Sequence, residues 1–209
     1  MKIDAILLIG PTGAGKSPLG NHIEACGLND TRCLHFDFGH QLRTIAEAEL
    51  PPVEFTPQEH LFIRDVLEKA LLLEQEHFPV AEKIIRSFLR RKEYRQGDFV
   101  ILNGLPRHVG QAVDIEKIAT ISQVIVLDCT AGVVHARIRG NTGRDRTGRD
   151  DDDLVLIEKK LRIFKERTSP LVSHYEKKGA GVVRVEVTAD DGPDRVYQVM
   201  RVGMERSRS

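Results

Sequence analysis

Near its amino terminus the chain reads Gly10-Pro11-Thr12-Gly13-Ala14-Gly15-Lys16-Ser17, a glycine, four residues, then Gly-Lys-Ser. Glycines at this spacing let the backbone wrap tightly and turn successive N–H groups inward onto anionic oxygens. Lys16 adds a point charge for terminal phosphates, and Ser17 offers a hydroxyl to Mg²⁺. The pattern is that of a P-loop, so Gly10, Gly13, Ala14, Gly15, Lys16 and Ser17 are the candidates for holding a nucleoside triphosphate. A glycine-rich turn beside an unrelated strand would carry the same letters. The context distinguishes them: Ala5–Ile9 reads as the strand a P-loop needs before it, and Leu19–Cys26 as the helix after it. That helix would present its positive end to the same anion, and Pro18 falls in its first turn, where a missing N–H is tolerated.

A second cluster follows the apolar run Val100-Ile101-Leu102, where Asn103-Gly104-Leu105-Pro106 delivers Arg107, with Gln111 four residues on. The carboxyl ends of strands in an open α/β sheet face the ligand crevice. Arg107 could there grip a phosphate through its fork, and Gln111 could read a base edge; an exposed loop arginine is the plain alternative. The third cluster is Arg137, Arg139, Arg144, Arg146 and Arg149, interleaved with glycine and threonine and followed by Asp150–Asp153. Arginines on a loop can close over a migrating phosphoryl group, neutralising its charge and excluding water. A solvated charged loop would look the same, whereas a nucleic-acid patch would not stand beside four aspartates.

The elements that must position these residues alternate. Short apolar runs at Ala5–Ile9, Val100–Leu102, Val124–Leu127 and Val182–Val187, with a weaker one at Leu34–Phe38, suit strands of a parallel sheet buried on both faces. Helical patterns lie at Gln58–Leu73, Ala81–Arg91, Leu154–Glu166 and Pro193–Val202. The expected fold is therefore α/β, a five-stranded parallel sheet flanked by helices. A chain of 209 residues suits one domain. The 31 basic and 31 acidic side chains cancel, which disfavours duplex nucleic acid as a partner. Cys26, Cys33 and Cys129 show neither metal-ligand spacing nor an even count for disulfides. Ile6–Ile9 is too short for a signal peptide or a membrane span, so a cytoplasmic protein with no membrane partner is expected.

Taken in order, these clusters resemble the adenylate kinase and UMP/CMP kinase family of nucleoside monophosphate kinases. The strongest parts are Gly10–Ser17, Phe99–Ala112 and Arg149–Tyr175, with Phe36–Arg43 (FDFGHQLR) a weaker fourth. The resemblance implies a P-loop nucleoside triphosphate hydrolase fold with core 1–43, 79–136 and 151–209, an acceptor-binding helical lobe at about 44–78 and a short lid at about 137–150. It implies ATP and Mg²⁺ as cofactors, a nucleoside monophosphate as the other substrate, and a monomer. By the same carry-over Arg43 and Arg107 would bind the acceptor phosphate, and Gln111 its base. Arg137 would stack near the donor base, and Arg149 would reach the transferring phosphates.

Several positions depart from the family pattern. Asn103 stands where the family has an aspartate holding the water shell of Mg²⁺, and Pro18 replaces a threonine near that shell. Ser17 restores a hydroxyl one residue earlier, which makes Ser17 and Asn103 the residues expected at the metal. Asn141 falls near a second lid arginine and Lys160 replaces another, without its bidentate fork. Phe38 occupies a place beside the acceptor base where the family has a small residue; its ring would either stack on the base or fill its space. Leu67, Leu71, Leu72 and Leu73 are expected in the core or at a dimer contact. The resemblance thus implies a nucleoside monophosphate kinase, with AMP the first acceptor to test. A nucleotide-binding sensor or scaffold with weakened catalysis, or a kinase for CMP, UMP or another acceptor, stands as the alternative.

Overall fold

The computed structural model describes residues 2–69, 73–143 and 154–206. Five parallel strands form one sheet: β1 (Ile3–Ile9), β2 (Cys33–Asp37), β3 (Phe99–Asn103), β4 (Ala119–Asp128) and β5 (Gly181–Glu186), in the order β2-β3-β1-β4-β5. The α-helices are α1 (Lys16–Cys26), α2 (Phe38–Ala46), α3 (Pro57–Glu68), α4 (Phe78–Arg91), α5 (Val109–Ile118), α6 (Ala131–Gly140), α7 (Leu154–Ile163), α8 (Pro170–Glu176) and α9 (Pro193–Arg206). The period-2 geometry of the strands splits their apolar side chains between two cores. Ala5, Leu7, Phe36, Leu102 and Val126 face α2, α3, α4, α5 and α8. Ile6, Leu8, Ile101, Ile125 and Val185 face α1 and α9 through Leu19, Ile23, Val196 and Met200. This is the α/β P-loop fold, with both faces of a parallel sheet covered.

The chain leaves β1 through α1 toward β2, and leaves β3 through α5 toward β4 on the opposite side. The carboxyl ends of β1 and β3 therefore flank the place where the connections diverge, the crevice in which such sheets bind ligands. Register brings a third strand to the same point: Leu8 lies opposite Asn103, and Asn103 opposite Asp37.

Some elements differ from expectation for local reasons. β2 ends at Asp37, and Phe38 opens α2, because the Asp37 carboxylate caps that helix by accepting the His40 N–H at 2.9 Å. The helix expected over Gln58–Leu73 is Pro57–Glu68; a reciprocal Thr56–Glu59 capping box starts it, and Leu71 and Leu72 lie outside the described residues. Leu73 is buried in the core and Leu67 packs against it. β4 runs well before Val124 because its first half pairs only with β1, so Thr120 and Ser122 stand outward where no second strand covers them. The helix expected over Leu154–Glu166 is α-helical to Ile163, then widens into a π turn over Phe164–Thr168 that the Ser169 N–H closes on the Phe164 carbonyl at 2.9 Å. No helix among the described residues is long and apolar enough to cross a membrane.

Candidate active site

The P-loop joins β1 to α1, and two of its glycines have backbone angles that side chains resist. Gly13 has φ of 75° and Gly15 of 95°, and Gly15 is the N-cap of α1. A Cβ on Gly13 would lie 2.8 Å from Ile138 Cγ1, and one on Gly15 2.9 Å from Arg137 Nη2. Gly10 sits against the Leu127 carbonyl, and Ala14 is fully buried. Lys16 Nζ donates to the carbonyls of Gly10 and Pro11, both at 2.7 Å, so its charge spans the loop it follows. The loop, the lysine and the start of α1 form a cationic cradle suited to a polyphosphate.

Arg137, in the last turn of α6, braces this cradle. Only 4% of its surface is exposed. Its Nε donates to the Gly13 carbonyl at 3.1 Å, and Nη1 donates to the carbonyls of Thr188 and Asp191, both at 2.8 Å. It thereby ties the P-loop to the loop after β5. Asn141 caps the end of α6 with φ of 44°, a left-handed conformation asparagine tolerates better than most residues. Arg139 is exposed and Lys160 half-buried. Arg144, Arg146 and Arg149, with half of the expected lid, lie outside the described residues.

A polar cluster joins the ends of three strands. Ser17 Oγ donates to Asp37 Oδ2 at 2.5 Å. Asn103, buried at the end of β3, donates from Nδ2 to Ser17 Oγ at 3.1 Å and to Asp37 Oδ2 at 3.0 Å. Its Nδ2 also lies 3.4 Å from His35 Nε2, and His35 Nδ1 lies 2.8 Å from Asn21 Oδ1. Burial lowers the His35 pKa against the pull of Asp37 and Glu24, which favours a neutral ring that accepts at Nε2 and donates at Nδ1. Burial also pushes the Asp37 carboxyl upward, but hydrogen bonds from Ser17 and the His40 N–H, with the charge of Arg43, outweigh it. The net pKa is below the ordinary value, so the group is a carboxylate at neutral pH.

Two arginines border this carboxylate. Arg107, half-buried after β3, donates from Nε to the Gly104 carbonyl at 2.9 Å. Burial lowers its pKa, Asp37 raises it and Arg43 lowers it, which puts the three charges within electrostatic reach of one another. Arg43 is half-buried in the last turn of α2. Two guanidinium groups acting on one carboxylate make a locally cationic surface of the kind that suits a dianionic phosphate. The Arg107 carbonyl accepts from Thr168 Oγ1 at 2.8 Å, which anchors the arginine loop to the π turn. Gln111 is 1% exposed; its Nε2 donates to the Leu73 carbonyl at 2.6 Å and its Oε1 accepts the Arg107 N–H at 2.8 Å. In this arrangement the Gln111 amide is engaged by backbone and supports the Arg107 loop. Phe38 is 2% exposed with its ring 6.1 Å from that of Phe36, a core packing that fills space and presents no face for stacking.

The residue that sequence reasoning passed over is Asp37. Its signal was present, a carboxylate closing an apolar run directly before a helix, at the strand end where ligands bind. Thr168 and the Glu74–Arg167 ion pair, bidentate at 2.7 and 2.8 Å, were likewise unforeseen; the first joins the π turn to the Arg107 loop, and the second joins it to the segment before α4. Ser17 and Asp37 supply hard oxygen donors of the kind Mg²⁺ takes, beside the phosphate cradle. Among the described residues no group of three or more His, Cys, Asp or Glu could hold a metal by itself.

No protein-family model matches the chain. Curated relatives do. An adenylate kinase of Prochlorococcus marinus is 28% identical over 83% of this chain and 85% of its own length. Adenylate kinases of Natronomonas pharaonis (25% identical, 96% of each chain) and Haloarcula marismortui (24%, 92% of each) are similar over nearly the full length. With the P-loop cradle, this similarity over most of the chain supports a place among the nucleoside monophosphate kinases.

Proposed function

We propose that the chain transfers the γ-phosphoryl group of Mg²⁺-ATP to a nucleoside monophosphate, with AMP the favoured acceptor. The carrying observation is that donor and acceptor halves border one cluster: Ser17 of the P-loop contacts Asp37, whose charge acts on both Arg43 and Arg107. The similarity to adenylate kinases supports the same reading. Gly10, Gly13, Ala14, Gly15 and Lys16 would hold the triphosphate, with Arg137 keeping the loop in shape and shielding the donor side. Arg43 and Arg107 would hold the acceptor phosphate, Gln111 would set the Arg107 loop near the acceptor base, and Phe38 would limit the space there from the core. Arg149 would reach the transferring group from the lid. Mg²⁺, when bound, supplies neutralisation of phosphate charge, with Ser17, Asn103 and their neighbours around it. The attacking group is already an anionic phosphate oxygen, so the protein's work is alignment and charge neutralisation, without a covalent intermediate.

A coupled assay offering Mg²⁺-ATP with AMP, CMP, UMP, GMP or dAMP tests this. ADP formation with one acceptor, abolished in Lys16→Ala, is expected. Tight ATP binding without turnover on any acceptor would sink the kinase reading. It would favour a nucleotide-binding sensor or scaffold, the reading that Asn103, Pro18, Asn141 and Lys160 motivate.

A further inference from the structure

The carboxylate missing from the end of β3 reappears one strand away. We propose that Asp37, at the end of β2, supplies the negative charge on the Mg²⁺ side of the nucleotide site, and that Asn103 is its hydrogen-bonding partner. The inference rests on the Mg²⁺-nucleotide half of the phosphotransferase reading, and not on the acceptor.

Asp37 and Asn103 are opposed residues of β2 and β3, so a carboxylate at either position enters the same space. Both contact the P-loop hydroxyl: Asp37 Oδ2 accepts from Ser17 Oγ at 2.5 Å, and Asn103 Nδ2 donates to Ser17 Oγ at 3.1 Å.

Polarity then orders the pair. Asn103 Nδ2 is surrounded by three acceptors, Ser17 Oγ, Asp37 Oδ2 at 3.0 Å and His35 Nε2 at 3.4 Å. Reversing the amide would set its oxygen against a carboxylate, so the network fixes the N–H₂ end inward. An N–H₂ group donates and cannot coordinate a cation. Asp37 Oδ2 is thus the anionic oxygen of the cluster, and Ser17, which spends its proton on Asp37, keeps a lone pair beyond the one that Asn103 uses. An aspartate at position 103 would place a second carboxylate 3.0 Å from Asp37, where like charges oppose each other. One carboxylate and one amide satisfy the cluster; their order along the two strands is exchangeable.

The closing experiment measures metal and nucleotide binding on the full chain, with the non-hydrolysable ATP analogue AMP-PNP. Mn²⁺ affinity in the ternary complex is read by electron paramagnetic resonance, and AMP-PNP affinity in EDTA by calorimetry. Asp37→Asn keeps a good N-cap for α2, so folding is expected to survive, and circular dichroism checks it. Removing the carboxylate should weaken Mn²⁺ by about 10–100-fold, the usual effect of losing a group that orders a metal's surroundings. Metal-free AMP-PNP should bind as well or more tightly, because a charge that repels phosphate is gone. Adding Asn103→Asp to Asp37→Asn should restore Mn²⁺ affinity, while Asn103→Asp alone should not increase it. Unchanged Mn²⁺ affinity in Asp37→Asn overturns the proposal. So does an equal loss of metal-free AMP-PNP binding, which would mark a purely structural role, or a double variant as weak as Asp37→Asn. If these shifts appear in a protein that phosphorylates no acceptor, the kinase reading fails and the assignment of Asp37 stands.

Discussion

Replacing Gly15 with alanine adds one methyl group, at a backbone φ of 95° and 2.9 Å from Arg137 Nη2. The first cost is conformational: a Cβ in the left-handed region costs about 1–2 kcal/mol. The second is steric. Arg137 is tethered to the carbonyls of Gly13, Thr188 and Asp191, so its guanidinium cannot swing aside without breaking bonds, and overpacking of this kind costs about 1–3 kcal/mol. Gly97 is the control, with φ of 97° and nothing within 4 Å of its would-be Cβ. Gly97→Ala should therefore lose about 1–2 kcal/mol and Gly15→Ala about 2–5 kcal/mol. At this chain length each kcal/mol moves Tm by about 2–4 °C, so the expected falls are about 2–8 °C and about 4–20 °C. Urea titrations with matched slopes, alongside thermal melts, give the comparison. Equal losses for the two variants would refute the claim that Arg137 is rigidly held against the loop. So would a difference that persists after Arg137→Ala removes the obstacle.

Three further outcomes follow from the geometry. Gln111→Met orphans the Arg107 N–H and leaves the Leu73 carbonyl only the His108 Nε2 contact at 3.4 Å, and should cost about 1–3 kcal/mol in urea denaturation, the cost of one unsatisfied group; a loss under about 0.5 kcal/mol would show that the amide is free. Burial pushes the Cys33 thiol up to about 11, so at pH 8 Cys26 should react with a thiol reagent in the native protein and Cys33 only on unfolding. Because the folded pKa lies above the ordinary 9.0, its contribution to stability is whole below pH 9 and declines as pH rises toward 11; Cys33→Ala should reduce that alkaline decline. Arg107→Lys loses the planar fork and should raise KM for the nucleoside monophosphate about 10–100-fold while leaving ATP affinity near wild type; an unchanged KM would remove Arg107 from the acceptor site.

The P-loop was fully legible because its chemistry is local: the glycines, the lysine and the helix start are contiguous, and their spacing alone sets the cradle. The sheet was legible because strands buried on both faces read as continuous apolar runs, as at Val124–Leu127. The first half of β4 was not, since a strand with one neighbour can carry polar residues. The π turn after Ile163 was hidden too, because Phe164 is the one apolar residue in Phe164–Thr168, too few to reveal a change of period.

The sequence by itself thus determined the fold class, the phosphate loop, and which arginines could converge on it. Whether Gln111 and Phe38 are exposed or spent in packing was a tertiary matter, decided by the Leu73 carbonyl, 38 residues from Gln111, and by the core that Phe38 shares with Phe88 and Leu102. The metal side was decided the same way. Asn103 alone reads as a lost charge, and 66 residues separate it from Asp37. Only the parallel register of β2 on β3 sets them opposite each other, because a sheet places residues by alignment across strands and not by distance along the chain.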